Sequence, residues 1–365
     1  MIKTPTKFIA LLSGAAFLMS SAFAQGVTTD PVGYVTTTIT GASGSAAFSS
    51  VSTPLHSGNV AVGAISSASG AVITLTGSPL EADDQLVSTD VNGSNLYYLL
   101  VTEVGSTSEG LLLDVTDNTT NTITVDYSGD LSSVLTAADS IVVREYNTVA
   151  SIFGAANEAG LTSGQADTSS DIVYLMENGG TGTFTRYYYQ TDAFGGLFGG
   201  DGWRLVGDIN TDIGNTRVAP DGAVLVKRIT AGDVSFVTAG TVSEDDVLTP
   251  LQTGINLVAT TYPVDSTLFS LGLYVNGNDR GVVSGQDDQS SDLVYVLQSS
   301  GTYNRYYYQT DVFPGLFGGD GWRAVGNIND DAGAVSIPIG SAVLVKHIGS
   351  GNNWESSAPY SFTSN

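Results

Sequence analysis

The chain has 365 residues, with 36 Asp and Glu against 12 Lys and Arg, 44 Gly and no Cys, for a formal net charge of −24. Charged residues are only 13% of it, against about 25% in an ordinary soluble domain, and the bases are what is missing. Nowhere do three bases cluster, which argues against nucleic acid or an anionic membrane as partner; without cysteine there is no disulfide framework, thiol catalysis or cysteine-held metal.

Residues 1–24 carry Lys3 and Lys7, an apolar run over 8–19, and Ala22-Phe23-Ala24 before Gln25. This is the layout of a secretory signal peptide, with an apolar run too short to span a bilayer. Cleavage after Ala24 leaves 10 bases against 36 acids, a charge of −26. No later stretch is apolar enough to span as a helix, so the expected protein is exported, without a transmembrane segment, to the cell surface, the extracellular space or the periplasm.

The mature start, 25–59, reads as the opening strands of a first domain. A module over 60–146 follows, with strands expected at 71–75, 96–101, 110–115, 122–127 and 140–146. Residues 149–161 place Ile152, Phe153, Ala156 and Leu161 roughly at helical spacing and predict a short helix. Strands are then expected at 172–176, 184–190, 203–206 and 223–229, because short β-branched and aromatic runs alternate there between Gly, Asn, Asp and Ser.

A repeat organises the rest. RYYYQTDAFGGLFGGDGWRLV from Arg186 and RYYYQTDVFPGLFGGDGWRAV from Arg305 agree at 18 of 21 positions, at an offset of 119. Ser170-Asp171-Ile172-Val173-Tyr174 pairs with Ser291-Asp292-Leu293-Val294-Tyr295, Ala223 to Lys227 with Ala342 to Lys346, and Ser151-Ile152-Phe153 with Thr267-Leu268-Phe269. The expected divisions are 25–59 and 147–239 for the first repeat domain, 60–146 for a module inserted in it, and 240–365 for the second. Three domains in series is the competing arrangement. The fold class is all-β: duplicated small sandwich or barrel domains, with a further β module inserted in or preceding the first copy.

Candidate chemistry is sparse. The two histidines, His56 and His347, sit near no nucleophile motif, and His347 reads as a solvated strand end. In Arg186 to Tyr189, alternation puts Tyr187 and Tyr189 on one face and Arg186 with Tyr188 on the other. Tyr188, Arg186 and Trp203, with Tyr307, Arg305 and Trp322, are therefore candidates for a sugar-stacking platform, against the plainer reading that the tryptophans are core. In the glycine loops, Asp192 and Asp201, with Asp311 and Asp320, are candidate Ca²⁺ ligands; the plainer reading is that they cap backbone amides. Six of the ten mature bases stand in duplicate, Arg186/Arg305, Arg204/Arg323 and Lys227/Lys346, and are expected to pair with carboxylates such as Asp192 and Asp201.

Asp30-Pro31-Val32-Gly33-Tyr34, the segment Glu109 to Val125, the Tyr-Tyr-Tyr…Gly-Trp-Arg blocks and Trp354…Pro359-Tyr360 together resemble an uncharacterised family of exported, β-rich bacterial proteins. The resemblance implies export and β structure and brings no activity or site residues. The functional expectation is a non-enzymatic structural or adhesive protein, with polysaccharide or self-association through strand edges as its candidate partners. A polysaccharide-binding module is the alternative, and a carboxylate-dependent glycosidase or lyase the third reading.

Overall fold

The computed structural model describes residues 31–196, 199–275, 280–310 and 318–361; the signal peptide read at 1–24 and the candidate ligand Asp311 lie outside them. The protein is nearly all β. A six-stranded antiparallel sheet runs in the order Asp208–Asp212, Gly202–Leu205, Thr183–Gln190, Ile172–Glu177, Ala223–Arg228, Ala47–Ser52. A five-stranded sheet runs Gly254–Ala259, Ala342–His347, Leu293–Leu297, Tyr303–Gln309, Gly321–Ala324. The two are built alike: Ala47 pairs with Arg228 as Gly254 pairs with His347, and Tyr188 faces Arg204 as Tyr307 faces Arg323.

Alternation explains which side of each sheet becomes core. Along Thr183–Gln190, Tyr187 and Tyr189 join Val173, Val224, Val226 and Trp203 in one apolar cluster, while Phe184, Arg186 and Tyr188 point the other way. A two-stranded ribbon, Val32–Ile39 with Val234–Thr241, closes this cluster through Ile39 and Phe236. The ribbon Val247–Leu251 with Asn352–Ser356 does the same for the second copy through Leu251 and Trp354. Each fully buried side chain of this size contributes about 1.5–3 kcal/mol.

Between Ala47–Ser52 and the rest of its sheet, the chain forms a closed barrel of six strands, Asn59–Ser69, Val72–Leu75, Thr122–Val125, Leu112–Asn118, Tyr97–Val101 and Ser140–Glu145. Its interior is filled by alternate residues such as Ile65, Ile73, Leu99, Val115, Ile123 and Val143. Among the described residues, no helix is long and apolar enough to cross a membrane.

The outer faces of the two sheets pack on each other, burying Leu225 and Ala223 of one against Leu257, Ala259 and Ala342 of the other. The contact is reciprocal. A Cβ on Gly182 would lie 2.9 Å from Ile255 Cβ, and one on the equivalent Gly301 would lie 2.7 Å from Cδ2 of Phe48, the counterpart of Ile255. Equivalent surfaces meet with the partners exchanged, which is the geometry of a symmetric dimer inside one chain.

Two expectations need correction. The helix spans only Val149–Phe153, because Gly154 takes φ 90 and turns the chain out of it. The match of Ser151 with Thr267 is three residues out of register. Thr148 and Ser151 cap each other, and so do Thr267 and Ser270. The amides of Val149 and Leu268 donate to the carbonyls of Thr216 and Val335, again 119 residues apart.

Candidate functional site

The duplicated Tyr, Trp, Arg and Gly residues form one local device, present twice. Arg204, buried on the outer face, donates from Nη2 to the carbonyls of Gly199 at 2.9 Å and Gly200 at 3.1 Å, and from Nη1 to that of Trp203 at 3.1 Å. Arg323 makes the same bonds to Gly318, Gly319 and Trp322 at 2.9, 2.9 and 3.0 Å. Gln190 and Gln309 extend the clamp to the carbonyls of Gly200 and Gly319, and the hydroxyls of Tyr188 and Tyr307 donate to their amide oxygens. The arginines therefore hold glycine carbonyls, and their carboxylate neighbours are Asp212 and Asp331, each at 3.6 Å, rather than Asp192 and Asp201. A guanidinium fork suits several carbonyls at once, which a single carboxylate pairing does not exploit.

Tyr188, Trp203, Tyr307 and Trp322 are all buried, so none presents a ring face to a sugar. Trp203 donates to the carbonyl of Gly154 and meets Tyr189 edge-on; Trp322 meets Tyr308 in the same way. Arg186 and Arg305 are exposed, directly across from Tyr174 and Tyr295.

The aspartates of the first loop hold its backbone. Asp192 accepts from the amides of Phe194 and Gly196, and Asp201 from that of Asp192, each at 2.7 Å, the arrangement of Asx turns. Asp320 follows Gly319 in the second loop, which places it beside the clamp of Arg323. Among the described residues, no group of three or more His, Asp or Glu is placed to share a metal ion.

Asp171 and Asp292 tie loops to strand ends. Asp171 accepts the amides of Thr162 and Ile229, and Asp292 those of Val283 and Ile348. Their partners differ: Arg228 Nε lies 3.3 Å from Asp171, and His347 Nδ1 2.7 Å from Asp292. His347 is thus buried, not a solvated strand end, and its Nε2 lies 3.0 Å from the Ser350 carbonyl.

A cluster that the sequence reading missed joins the barrel to the first copy. Arg217 reaches the Asp114 carboxylate at 2.9 Å and the Asn95 carbonyl at 3.0 Å, and lies 4.7 Å over the Tyr146 ring. The Tyr146 hydroxyl donates to Asp114. Asp90 accepts the amides of Asn92 and Ser94 within the barrel and that of Arg217 across the junction. Burial, then the nearby Asp114 charge, pushes the Tyr146 hydroxyl well up, and burial pushes Asp221 up to about 6. Beneath lies a chain from His56 Nδ1 to the Tyr98 hydroxyl at 2.9 Å, with Arg144 beside it holding Asn59 at 2.8 Å. Burial first and Arg144 second drive the His56 pKa down to about 3. These residues come from segments up to 165 positions apart with no common motif; the only sequence signal is that Arg217 and Arg144 are bases without a repeat partner.

The chain matches no protein-family model, no curated protein and no solved structure. Its functional reading rests on the geometry.

What the junction does chemically is to lock the barrel. Asp114 is pinned by two donors, and Asp221, only partly exposed, holds a proton more tightly than an ordinary aspartate. A folded pKa above the unfolded one stabilises most at pH below about 4, and that stability is lost as the pH rises through about 6. Asp221→Asn therefore raises the melting temperature at pH 7.5 and leaves it nearly unchanged at pH 4; equal shifts at both pH values would show that Asp221 is not held protonated.

Proposed function

We infer that the chain is an exported, non-enzymatic structural or adhesive protein of the cell surface or extracellular space, which associates with itself through strand edges. One observation carries this reading. The strands Val32–Ile39 and Val234–Thr241 form a two-stranded sheet of their own, with no charged residue in either. Natural sheets protect open edges with charges, proline or bulges, and an unprotected edge is a template for another strand.

The outward side of the ribbon mixes uncharged Thr36, Thr38 and Ser235 with exposed apolar side chains, Val32 at 66%, Tyr34 at 75% and Val237 at 61%. In a chain of net charge −24, a charge-free strip is where two copies repel each other least. The candidate rings Tyr188, Trp203, Tyr307 and Trp322, with Arg204 and Arg323, serve each copy's own interior, which favours a structural role over sugar binding. On this reading the barrel is a module inserted into the first copy, and the signal-peptide layout supplies the route out of the cell.

Sedimentation velocity tests the reading. Concentration-dependent association is expected, abolished by Thr36→Lys or by Val237→Lys, which place a charge at directly opposed ribbon positions. A monomer at all concentrations, or association unaffected by both changes, would contradict it.

A further inference from the structure

Where the outer faces of the two copies meet, they leave an apolar cleft of about 340 Å³ lined by Phe48, Tyr174, Met176, Phe184, Ile255 and Tyr303. Tyr174 stands edge-on to Phe184 at 5.9 Å, and the equivalent rings Tyr295 and Tyr303 stand edge-on at 6.2 Å.

The bases around it are the second observation. Twelve bases are present in the whole chain, and Arg204, Arg217, Arg228, Arg280 and Arg323 each have a carboxylate partner, while Arg144 is buried and hydrogen-bonded to Asn59. Arg186, Lys227, Arg305 and Lys346 have no ion pair among the described residues. All four lie on the outer sheet faces that form the cleft. Lys227 is directly across from Phe48, Arg186 from Tyr174, Lys346 from Ile255, and Arg305 from Tyr295. Directly opposed residues share a face with Cβ atoms about 5 Å apart. In a chain with three acids for each base, these four cations stand outside the lining itself, each two residues along its strand and on the same face as a lining residue: Phe184, Leu225, Tyr303 and Leu344.

We propose that this cleft binds a small amphipathic carboxylate, an aryl or acyl group seated among Phe48, Tyr174, Phe184 and Tyr303 with its carboxylate held by the cations at the rim. The volume falls in the range of small-molecule sites, in which apolar walls supply affinity and a few charged groups set orientation. A neutral ligand of the same shape gains only the apolar part. The site is independent of self-association, because the ribbon edge Val32–Ile39 contributes none of these lining residues.

Isothermal titration of the folded full chain with naphthoate, decanoate and uncharged naphthylmethanol tests the proposal. Saturable binding of one of the two carboxylates is expected, about tenfold or more tighter than naphthylmethanol and weakening with salt. Which carboxylate binds tells an aryl from an acyl ligand. The exposed-face double change Arg186→Gln/Lys227→Gln should weaken carboxylate binding about tenfold and erase the preference over the alcohol, and Phe184→Ala should weaken all three ligands. Failure of both carboxylates to saturate, equal affinity for the alcohol, or affinity unchanged in the Gln variant while circular dichroism reports the native fold would overturn it.

Discussion

Replacing Arg204 or Arg323 by methionine lowers the unfolding free energy by about 3–5 kcal/mol, whereas Asp212→Asn or Asp331→Asn lowers it by less than about 1 kcal/mol. The asymmetry follows from where each partner sits. The arginine side chains are 2% exposed and the aspartates 61% and 67% exposed, so water screens the carboxylate end of a 3.6 Å contact. The three carbonyl bonds lie at the inner end and bring the glycine loop down over Tyr188 or Tyr307. Hydrogen bonds to a charged group are worth about 1.5–3 kcal/mol each, and methionine replaces none of them. Lysine recovers only part of the loss, since one ammonium cannot span the carbonyls on both sides of the fork. Urea unfolding of the four variants is the measurement. If the aspartate variants cost as much as the methionine ones, the ion pair and not the carbonyl clamp holds the loop.

The second large effect is a response to acid centred on His56. Its ring is buried, with Nδ1 on the Tyr98 hydroxyl and Nε2 facing no partner among the described residues. Protonation there creates a buried imidazolium close to the guanidinium of Arg144. With a folded pKa of about 3 against 6.5 in the open chain, the neutral ring's contribution is complete above pH 6.5. It is lost as the pH falls towards 3, and by pH 4 the loss reaches about 3 kcal/mol. Asp221 works in the opposite sense, gaining as the pH falls from about 6 to 4, and its partial exposure makes that gain the smaller of the two. The parent protein should therefore lose stability only gently between pH 6.5 and 4. Asp221→Asn steepens that fall, and His56→Gln turns it into a rise. Denaturant midpoints at pH 7, 5.5 and 4 decide the point; parallel slopes for parent and His56→Gln would show that the ring is not held neutral.

The β class and the strand positions were legible because they depend on local alternation. Residues 172–176 and 184–190 read as strands and appear as Ile172–Glu177 and Thr183–Gln190. The inward face of Tyr187 and Tyr189 followed from period two alone. The helix was overrun because apolar spacing cannot register the φ of Gly154. The arginine partners were misread for a different reason: charge pairing looks for carboxylates, and what Arg204 and Arg323 bind is backbone, which every residue carries. His347 looked solvated because its counterpart Arg228 follows a strand, yet both are drawn inward by a carboxylate, Asp171 or Asp292, fixed from two loops. The junction of Asp114, Tyr146, Arg217 and Asp221 exists only once the barrel lies against the first copy. The cleft between the copies needs the docking of two sheets, which no stretch of sequence encodes by itself.

Assembly through the uncharged ribbon of Val32–Ile39 and Val234–Thr241 would be visible in negative-stain electron micrographs of the purified chain. Particles joined edge to edge into strings or larger arrays are expected, reduced to single particles by Val237→Lys with the fold intact. Isolated particles of the unaltered chain at every concentration, or strings that persist in Val237→Lys and in Thr36→Lys alike, would contradict it.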